Sequence, residues 1–208
     1  VAVTNGEIYN SKDLFEKLAV EPNNGNGVDV AIVPELVAKL GILSLEQIDG
    51  QFASVIFDRR ENALYLTRDR FGICPLFYTT VDGVVHFCSE LKPLVLSLPQ
   101  SWHIDYSAID QFFALGNIVA PRTLVEGVSA VQPGCALRVD LSGTKNIRYW
   151  RYGDFSLCDT APNSEILQSS LRRSIATRLN SDAEIGAYLS GGFDSTVILT
   201  EATALAKN

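Results

Sequence analysis

Leu189-Ser190-Gly191-Gly192-Phe193-Asp194-Ser195-Thr196 lies between an apolar run, 185–189, and a stretch of helical composition from about Ser195. Two adjacent glycines let backbone N–H groups approach an anion closely, and a helix starting there adds its positive end. Ser190, Ser195 and Thr196 contribute hydroxyls, and the Asp194 carboxylate can hold Mg2+ against phosphate oxygens. No Gly-Lys-Thr follows and the glycine spacing differs from GxGxxG, so neither a Walker A loop nor a dinucleotide fingerprint is present. A chance match to Ser-Gly-Gly-x-Asp-Ser in a chain of this length comes out on the order of a few in ten thousand. The pattern therefore reads as a phosphate-binding strand–loop–helix unit rather than a plain glycine turn.

Upstream of this loop, residues 165–179 carry apolar residues at helical spacing (Ile166, Leu167, Leu171, Ile175, Leu179). Residues 152–163 are polar and include Pro162, which predicts a boundary between a front domain, 1–155, and a rear domain, 160–208. The front part reads mainly as strands. Residues 1–3 run into the turn signal Asn5-Gly6, and 13–19 predict a helix opened by Ser11 as its cap. Residues 21–27 read as a polar loop, and 32–40 as a helix with Pro34 in its first turn. Segments 52–57 and 63–67 predict a hairpin, with further strands at 76–80, 84–88, 123–131 and 136–139 and a short helix at 109–115.

Composition narrows the function. The chain has 208 residues, 47% of them hydrophobic and 20% charged, an ordinary globular balance. Its net charge of −7 argues against a nucleic-acid-coating role. No apolar run approaches the roughly 18–20 residues of a membrane span, and the start lacks a secretory-signal pattern, so a soluble, cytoplasmic protein is expected. The four cysteines (Cys74, Cys88, Cys135, Cys158) form no CxxC pair, and His86 and His103 are the only histidines. Reduced, buried thiols are therefore expected rather than zinc ligands or a disulfide framework. Methionine is absent, and the sequence opens in a strand-like run and closes in a helical one, which reads as an internal piece of a longer protein.

Ser190–Ser195 resembles the signature of the PP-loop ATP pyrophosphatase superfamily, which forms adenylated intermediates with release of pyrophosphate. The front part resembles class II, N-terminal-nucleophile glutamine amidotransferases joined to asparagine-synthetase-type domains. That likeness rests on Thr4-Asn5-Gly6-Glu7-Ile8-Tyr9-Asn10, Asp49-Gly50-Gln51-Phe52-Ala53 and the run from Arg68 to Tyr78 (RDRFGICPLFY). It continues through Phe87-Cys88-Ser89-Glu90-Leu91-Lys92, Pro121-Arg122-Thr123-Leu124, Pro133-Gly134 and Arg148-Tyr149-Trp150. The implied fold is an α+β sandwich of the αββα type, followed by the first β-loop-α unit of an α/β PP-loop adenine-nucleotide-binding domain.

The resemblance also implies roles. Asn5 and Gly6 match an oxyanion hole, made by the side-chain amide of one and the backbone N–H of the other. Together with Glu7 and Asp29 they form the glutamine-binding set, the two carboxylates holding the α-amino group. Asp29 sits in Gly27-Val28-Asp29-Val30-Ala31, where the family more often reads Ser-Asp-x-Glu. Leu189, Ser190, Gly191, Gly192, Asp194 and Ser195 match the ATP site, with Mg2+ and ATP implied and Asp194 as the metal ligand. Alone, Asn5-Gly6 is more often a hairpin turn and Asp29 more often a helix cap. Arg68 and Asp69 read as an ion pair bracing a turn, and Cys74 as filler where the family commonly has Lys.

The implied activity is glutamine-dependent amide synthesis, with aspartate as the leading acceptor and an acyl-adenylate intermediate. Glutamine, ATP and the carboxylate are the expected small-molecule partners, with no nucleic acid or membrane, and the resemblance leaves room for a homodimer. The family's nucleophile is an N-terminal Cys, which none of the four cysteines here can be, so the piece alone is expected to be inactive. One alternative is a ligase or cyclase of the β-lactam or lasso-peptide type without glutaminase chemistry. Another is a non-catalytic truncated homologue.

Overall fold

The computed structural model describes residues 1–21, 29–154, 163–179 and 184–206. The chain divides into two compact units, Val1–Asp154 and Phe155–Asn208.

In the first unit, β1 (Ala2–Ile8), β2 (Gly50–Asp58), β3 (Ala63–Arg68), β7 (Cys135–Asp140) and β8 (Gly143–Arg148) form one antiparallel sheet in the order β1-β2-β3-β7-β8. A smaller antiparallel sheet has the order β5-β4-β6, from β4 (Phe77–Val81), β5 (Val84–Cys88) and β6 (Val128–Ala130). Alternation along the strands explains the layers. Phe52, Ile56, Ala63 and Tyr65 point to one face of the large sheet, against Leu14 and Phe15 of α1 (Ser11–Leu18) and Ile32, Val33, Leu36 and Val37 of α2 (Ile32–Leu40). Ala53, Leu66 and Leu137 point to the other face and meet Leu76, Val131 and Tyr78 of the small-sheet side. On the outer side of that sheet, Phe77 lies beside Leu91 and Val95 of α3 (Leu91–Leu96). The layers run helix, sheet, sheet, helix, an α+β arrangement. The last helix of this unit, α4 (Tyr106–Leu115), opens on Asp105, whose carboxylate accepts from the Ser107 and Ala108 N–H groups at 2.9 and 3.2 Å.

Several expectations are corrected. Asn5-Gly6 is not a turn: β1 passes straight through it, because Gly6 pairs with Phe52 inside the ladder. Ser11 is the first helical residue, not the cap; it is buried, and Asn10 precedes the helix. The predicted strand 123–131 shrinks to β6 plus a bridge between Ile104 and Val125, as Thr123 turns its hydroxyl onto the Val125 and Val128 carbonyls. β8 leaves no signal in the sequence, since GTKNIR has no apolar alternation. As the outermost strand of the large sheet it is mostly exposed and is recruited by β7.

The second unit contains α5 (Ser164–Arg178) and α6 (Phe193–Ala206). Asn163 caps α5 by accepting from Ile166 N–H at 2.8 Å. Residues 184–190 are not a strand: a ladder needs a neighbouring backbone, and none pairs with them among the described residues. Ile185, Tyr188 and Leu189 are exposed, and of the apolar positions expected to line α5 only Ile175 is buried. Residues 22–28, 155–162 and 180–183, which hold the expected loop at 21–27 and most of the expected boundary, lie outside the described residues.

Candidate functional site

The edge of the large sheet is where the first group of expected residues meets. Val1 and Phe57 exchange backbone hydrogen bonds at 2.8 and 3.2 Å, and Tyr9 N–H donates to Asp49 at 2.8 Å. Odd-numbered residues of β1 therefore bond β2, and even-numbered ones direct N–H and C=O outward. Gly6 and Ile8 thus present consecutive outward N–H groups on the open edge. That of Ile8 is taken by Asp29, whose carboxylate accepts it in a short hydrogen bond. Asp29 begins a 3-10 turn, Asp29–Ala31, packed on β1. Asn5 is exposed and Glu7 half-buried on the same strand, paired with Ala53 and Gln51. The four residues expected to bind glutamine therefore cluster on one edge, with the outward N–H of Gly6 between Asn5 and Glu7.

Only glycine fits at position 6. Its φ is +145°, and an added Cβ would stand 2.1 Å from the Gln51 carbonyl oxygen and 2.6 Å from Phe52 Cα. The close approach follows from register: Gly6 faces Phe52 at a non-hydrogen-bonded position, where antiparallel backbones come nearest.

Behind β2, the segment after β3 is tied by Asp69, whose side chain is fully buried. One carboxylate oxygen accepts from Phe71 and Ile73 N–H, both at 3.0 Å; the other accepts from Cys74 N–H at 2.9 Å and Phe52 N–H at 3.3 Å. Asp69 N–H donates to the Phe52 carbonyl at 2.8 Å, and its own carbonyl accepts from Gly134 N–H at 2.9 Å. Arg68 donates to the carbonyls of Cys74, Val131 and Gly72 at 2.7, 3.0 and 2.6 Å. Arg68 and Asp69 do brace a turn, but each does so by binding backbone, so the expected ion pair between them is corrected. Burial lowers the Arg68 pKa, and burial, with the Asp69 charge second, raises those of the Cys74 thiol and the Tyr149 phenol. A raised thiol pKa leaves Cys74 a poor nucleophile, as filler would be. Sequence reading saw the Arg-Asp pair but not its connection to Phe52, which is distant along the chain.

No disulfide joins Cys74, Cys88 or Cys135, of which only Cys135 is fully buried; Cys158 lies outside the described residues. No group of three or more His, Cys, Asp or Glu residues suited to a metal occurs among the described residues. No described helix is long and apolar enough to cross a membrane.

In the second unit, Gly191 takes φ +82°, and the space where its Cβ would stand is open. Gly192 N–H donates to Ser190 Oγ at 3.3 Å, and the hydroxyls of Ser190 and Ser195 lie 2.9 Å apart. Thr196 bonds the Gly192 carbonyl through its N–H at 3.1 Å and its hydroxyl at 2.8 Å, opening α6. Asp194 sits exposed in the first turn of that helix, and Leu189 precedes the loop, also exposed. An open glycine, Gly191, at a helix N-terminus suits a phosphate, and one carboxylate suits a Mg2+ whose other ligands are phosphate oxygens and water.

Residues 1–150 match the family model of the glutamine amidotransferase domain, and the chain belongs to that family. Residues 167–208 match the asparagine synthase model. The chain is 29% identical over 203 residues to asparagine synthetase [glutamine-hydrolyzing] 1 of Bacillus subtilis, covering 96% of this chain and 32% of that protein. It is 31% identical over 204 residues to amidase chyE of Penicillium rubens, covering 95% and 30%. The chain spans about a third of the length of these relatives. Among solved structures, a glutamine phosphoribosylpyrophosphate amidotransferase from B. subtilis complexed with ADP and GMP aligns with 98% of this chain and 44% of its own, at 18% identity and a TM-score of 0.46.

Proposed function

We propose that this chain carries the glutamine site and the opening of the ATP site of an asparagine-synthetase-type enzyme. The observation that carries the reading is the β1 edge, where Gly6 turns its N–H outward next to Asn5 while Asp29 occupies the adjacent outward N–H. The first unit is then a sandwich of the N-terminal-nucleophile type, 1–155, and the second, 160–208, the start of a PP-loop domain.

The chemistry follows from charge development. A thiolate attacking the amide carbon of glutamine converts the carbonyl oxygen to an oxyanion, and the tetrahedral species collapses to a thioester with loss of ammonia. Water then releases glutamate. Asn5 Nδ2–H and Gly6 N–H would donate to the oxyanion, one such donor being worth about 10²–10³-fold in turnover. Glu7 and Asp29 would hold the substrate's ammonium. The thiolate would be that of the N-terminal Cys the resemblance implies, a role that none of the four cysteines here fits. In the second unit, Leu189, Ser190, Gly191, Gly192 and Ser195 would hold the phosphates of ATP. Mg2+, when bound, would offset their charge, with Asp194 as its protein ligand. Aspartate attacking the α-phosphate gives an acyl-adenylate and pyrophosphate; ammonia then displaces AMP and yields asparagine. The partners are small molecules of the cytoplasm, and a homodimer fits the reading.

The test is made on the full-length protein with glutamine, aspartate and Mg-ATP. Glutamate, AMP, pyrophosphate and asparagine in equal amounts are expected. Ammonia-driven synthesis without glutamate formation would instead support a ligase that lacks glutaminase chemistry.

A further inference from the structure

We infer that Asp69 is a positioning residue for the oxyanion donor, acting through Phe52 on Gly6. The inference rests on the glutaminase reading above and adds a residue to it.

Both backbone polar groups of Phe52 are bonded to Asp69: its N–H to the carboxylate at 3.3 Å and its carbonyl to the Asp69 N–H at 2.8 Å. The carboxylate thus extends the β2–β3 ladder one step past Arg68, the last paired residue of β3. On its other side Phe52 is the seat of Gly6, so close that a Cβ there would overlap it. Gly6 has no side chain to hold it in place, so the aim of its N–H depends on where the Phe52 backbone lies. That position is fixed by a carboxylate which is fully buried and shared with Phe71, Ile73 and Cys74 N–H. The Tyr149 hydroxyl, donating to the Arg68 carbonyl at 2.5 Å, steadies the same corner from β8's far end. Four donors meet two acceptor oxygens, so a carboxylate satisfies every one of them and an amide cannot. In Asp69→Asn the NH2 group must face either the Phe52 and Cys74 pair or the Phe71 and Ile73 pair, and the corner has to shift.

The experiment uses the full-length enzyme and its Asp69→Asn variant. Glutamine turnover is normalised to the number of sites labelled by a diazo-ketone analogue of glutamine, so that unfolded molecules are not counted. A displaced oxyanion donor should lower kcat per labelled site about 10- to 100-fold, a fraction of what deleting a donor costs, with the glutamine KM within about threefold. A purely structural role would lower the labelled fraction and the melting temperature while leaving turnover per labelled site unchanged; that result overturns the proposal. Should Asp69→Asn not fold, Tyr149→Phe decides. A severalfold fall in normalised kcat at constant KM supports the proposal, and parental kcat overturns it. If the unsubstituted enzyme hydrolyses no glutamine, the glutaminase reading itself fails and takes this inference with it.

Discussion

Replacing Gly6 by Ala tests the geometry of the β1 edge apart from any assumption about substrate. The new methyl would lie 2.1 Å from the Gln51 carbonyl oxygen, against an ordinary contact of 3.4 Å. The two strands must therefore open by about 1.3 Å or the residue must turn out of register, and overpacking of this kind costs roughly 1–3 kcal/mol. The positive φ adds strain of about 1–2 kcal/mol, because an L side chain disfavours that region. The expected loss is about 2–5 kcal/mol, read from urea midpoints at constant slope. Gly83→Ala is the matched control: its φ is +78° with nothing within 4 Å of the added methyl, so it carries the strain without the clash. Equal destabilisation of the two variants would refute the close approach at Gly6. In the full-length enzyme, Gly6→Ala should also lower glutamine turnover per labelled site by about 10²–10³-fold. A variant that is destabilised yet turns over normally would refute the donor role while leaving the packing argument intact.

Asn5→Ala removes a donor without disturbing the ladder, so kcat for glutamine should fall about 10²–10³-fold with little loss of stability; an unchanged kcat would exclude the side-chain amide from the oxyanion hole. Asp29→Asn keeps an acceptor for Ile8 N–H but loses the charge facing an ammonium, so the glutamine KM should rise about tenfold or more while kcat changes less. Equal effects on glutamine and on an analogue lacking the α-amino group would exclude that contact. Asp194→Ala should abolish ATP–pyrophosphate exchange in the full-length enzyme yet spare glutamine hydrolysis; retained exchange would remove Asp194 from the metal site. Hydrogen bonds from Arg60, first through its guanidinium at 2.8 Å and then through its N–H, hold the Asp58 carboxyl at about 2, below its usual 3.8. A lowered pKa contributes stability above pH 3.8 that is lost as pH falls through 2, a small contribution here because Arg60 is well exposed and solvent screens the pair. Arg60→Gln should return the Asp58 titration, followed by NMR, toward 3.8; a midpoint still near 2 would mean another group holds it down.

Where a segment carries its own periodicity, its structure was legible. Residues 32–40 place Ile32, Val33, Leu36 and Val37 on one helical face, and α2 occupies that span. The hairpin of β2 and β3 likewise follows from alternation on both sides of a polar link. Legibility failed where a neighbour decides. Asn5-Gly6 has the composition of a turn, but β2 makes it a strand, and the glycine serves a close approach instead of a reversal. GTKNIR has no pattern of its own, yet β7 supplies a ladder for β8. Residues 185–189 have a strand's composition and no partner among the described residues. At the site, Asn5, Gly6, Glu7 and Asp29 could be named from their motifs, since the role proposed for each uses its own atoms. Asp69 could not be connected with Gly6, because the link passes through the backbone of Phe52.

An outermost strand is usually a hazard, since its unpaired amides invite any extended peptide to zip on. Sheets commonly defuse such rims with lysines, prolines or bulges, but each of those would blunt the rim on which the proposed oxyanion sits. Here Asp29 takes the rim at Ile8, so an incoming strand cannot run the length of β1, while among the described residues nothing pairs with the short stretch that includes Gly6. Val3, three-quarters exposed, lies on the N-terminal side of that stretch. Under the proposed oxyanion role, self-association along this rim would cover the Gly6 amide, so clumping and loss of glutamine turnover in the full-length protein should rise together with protein concentration.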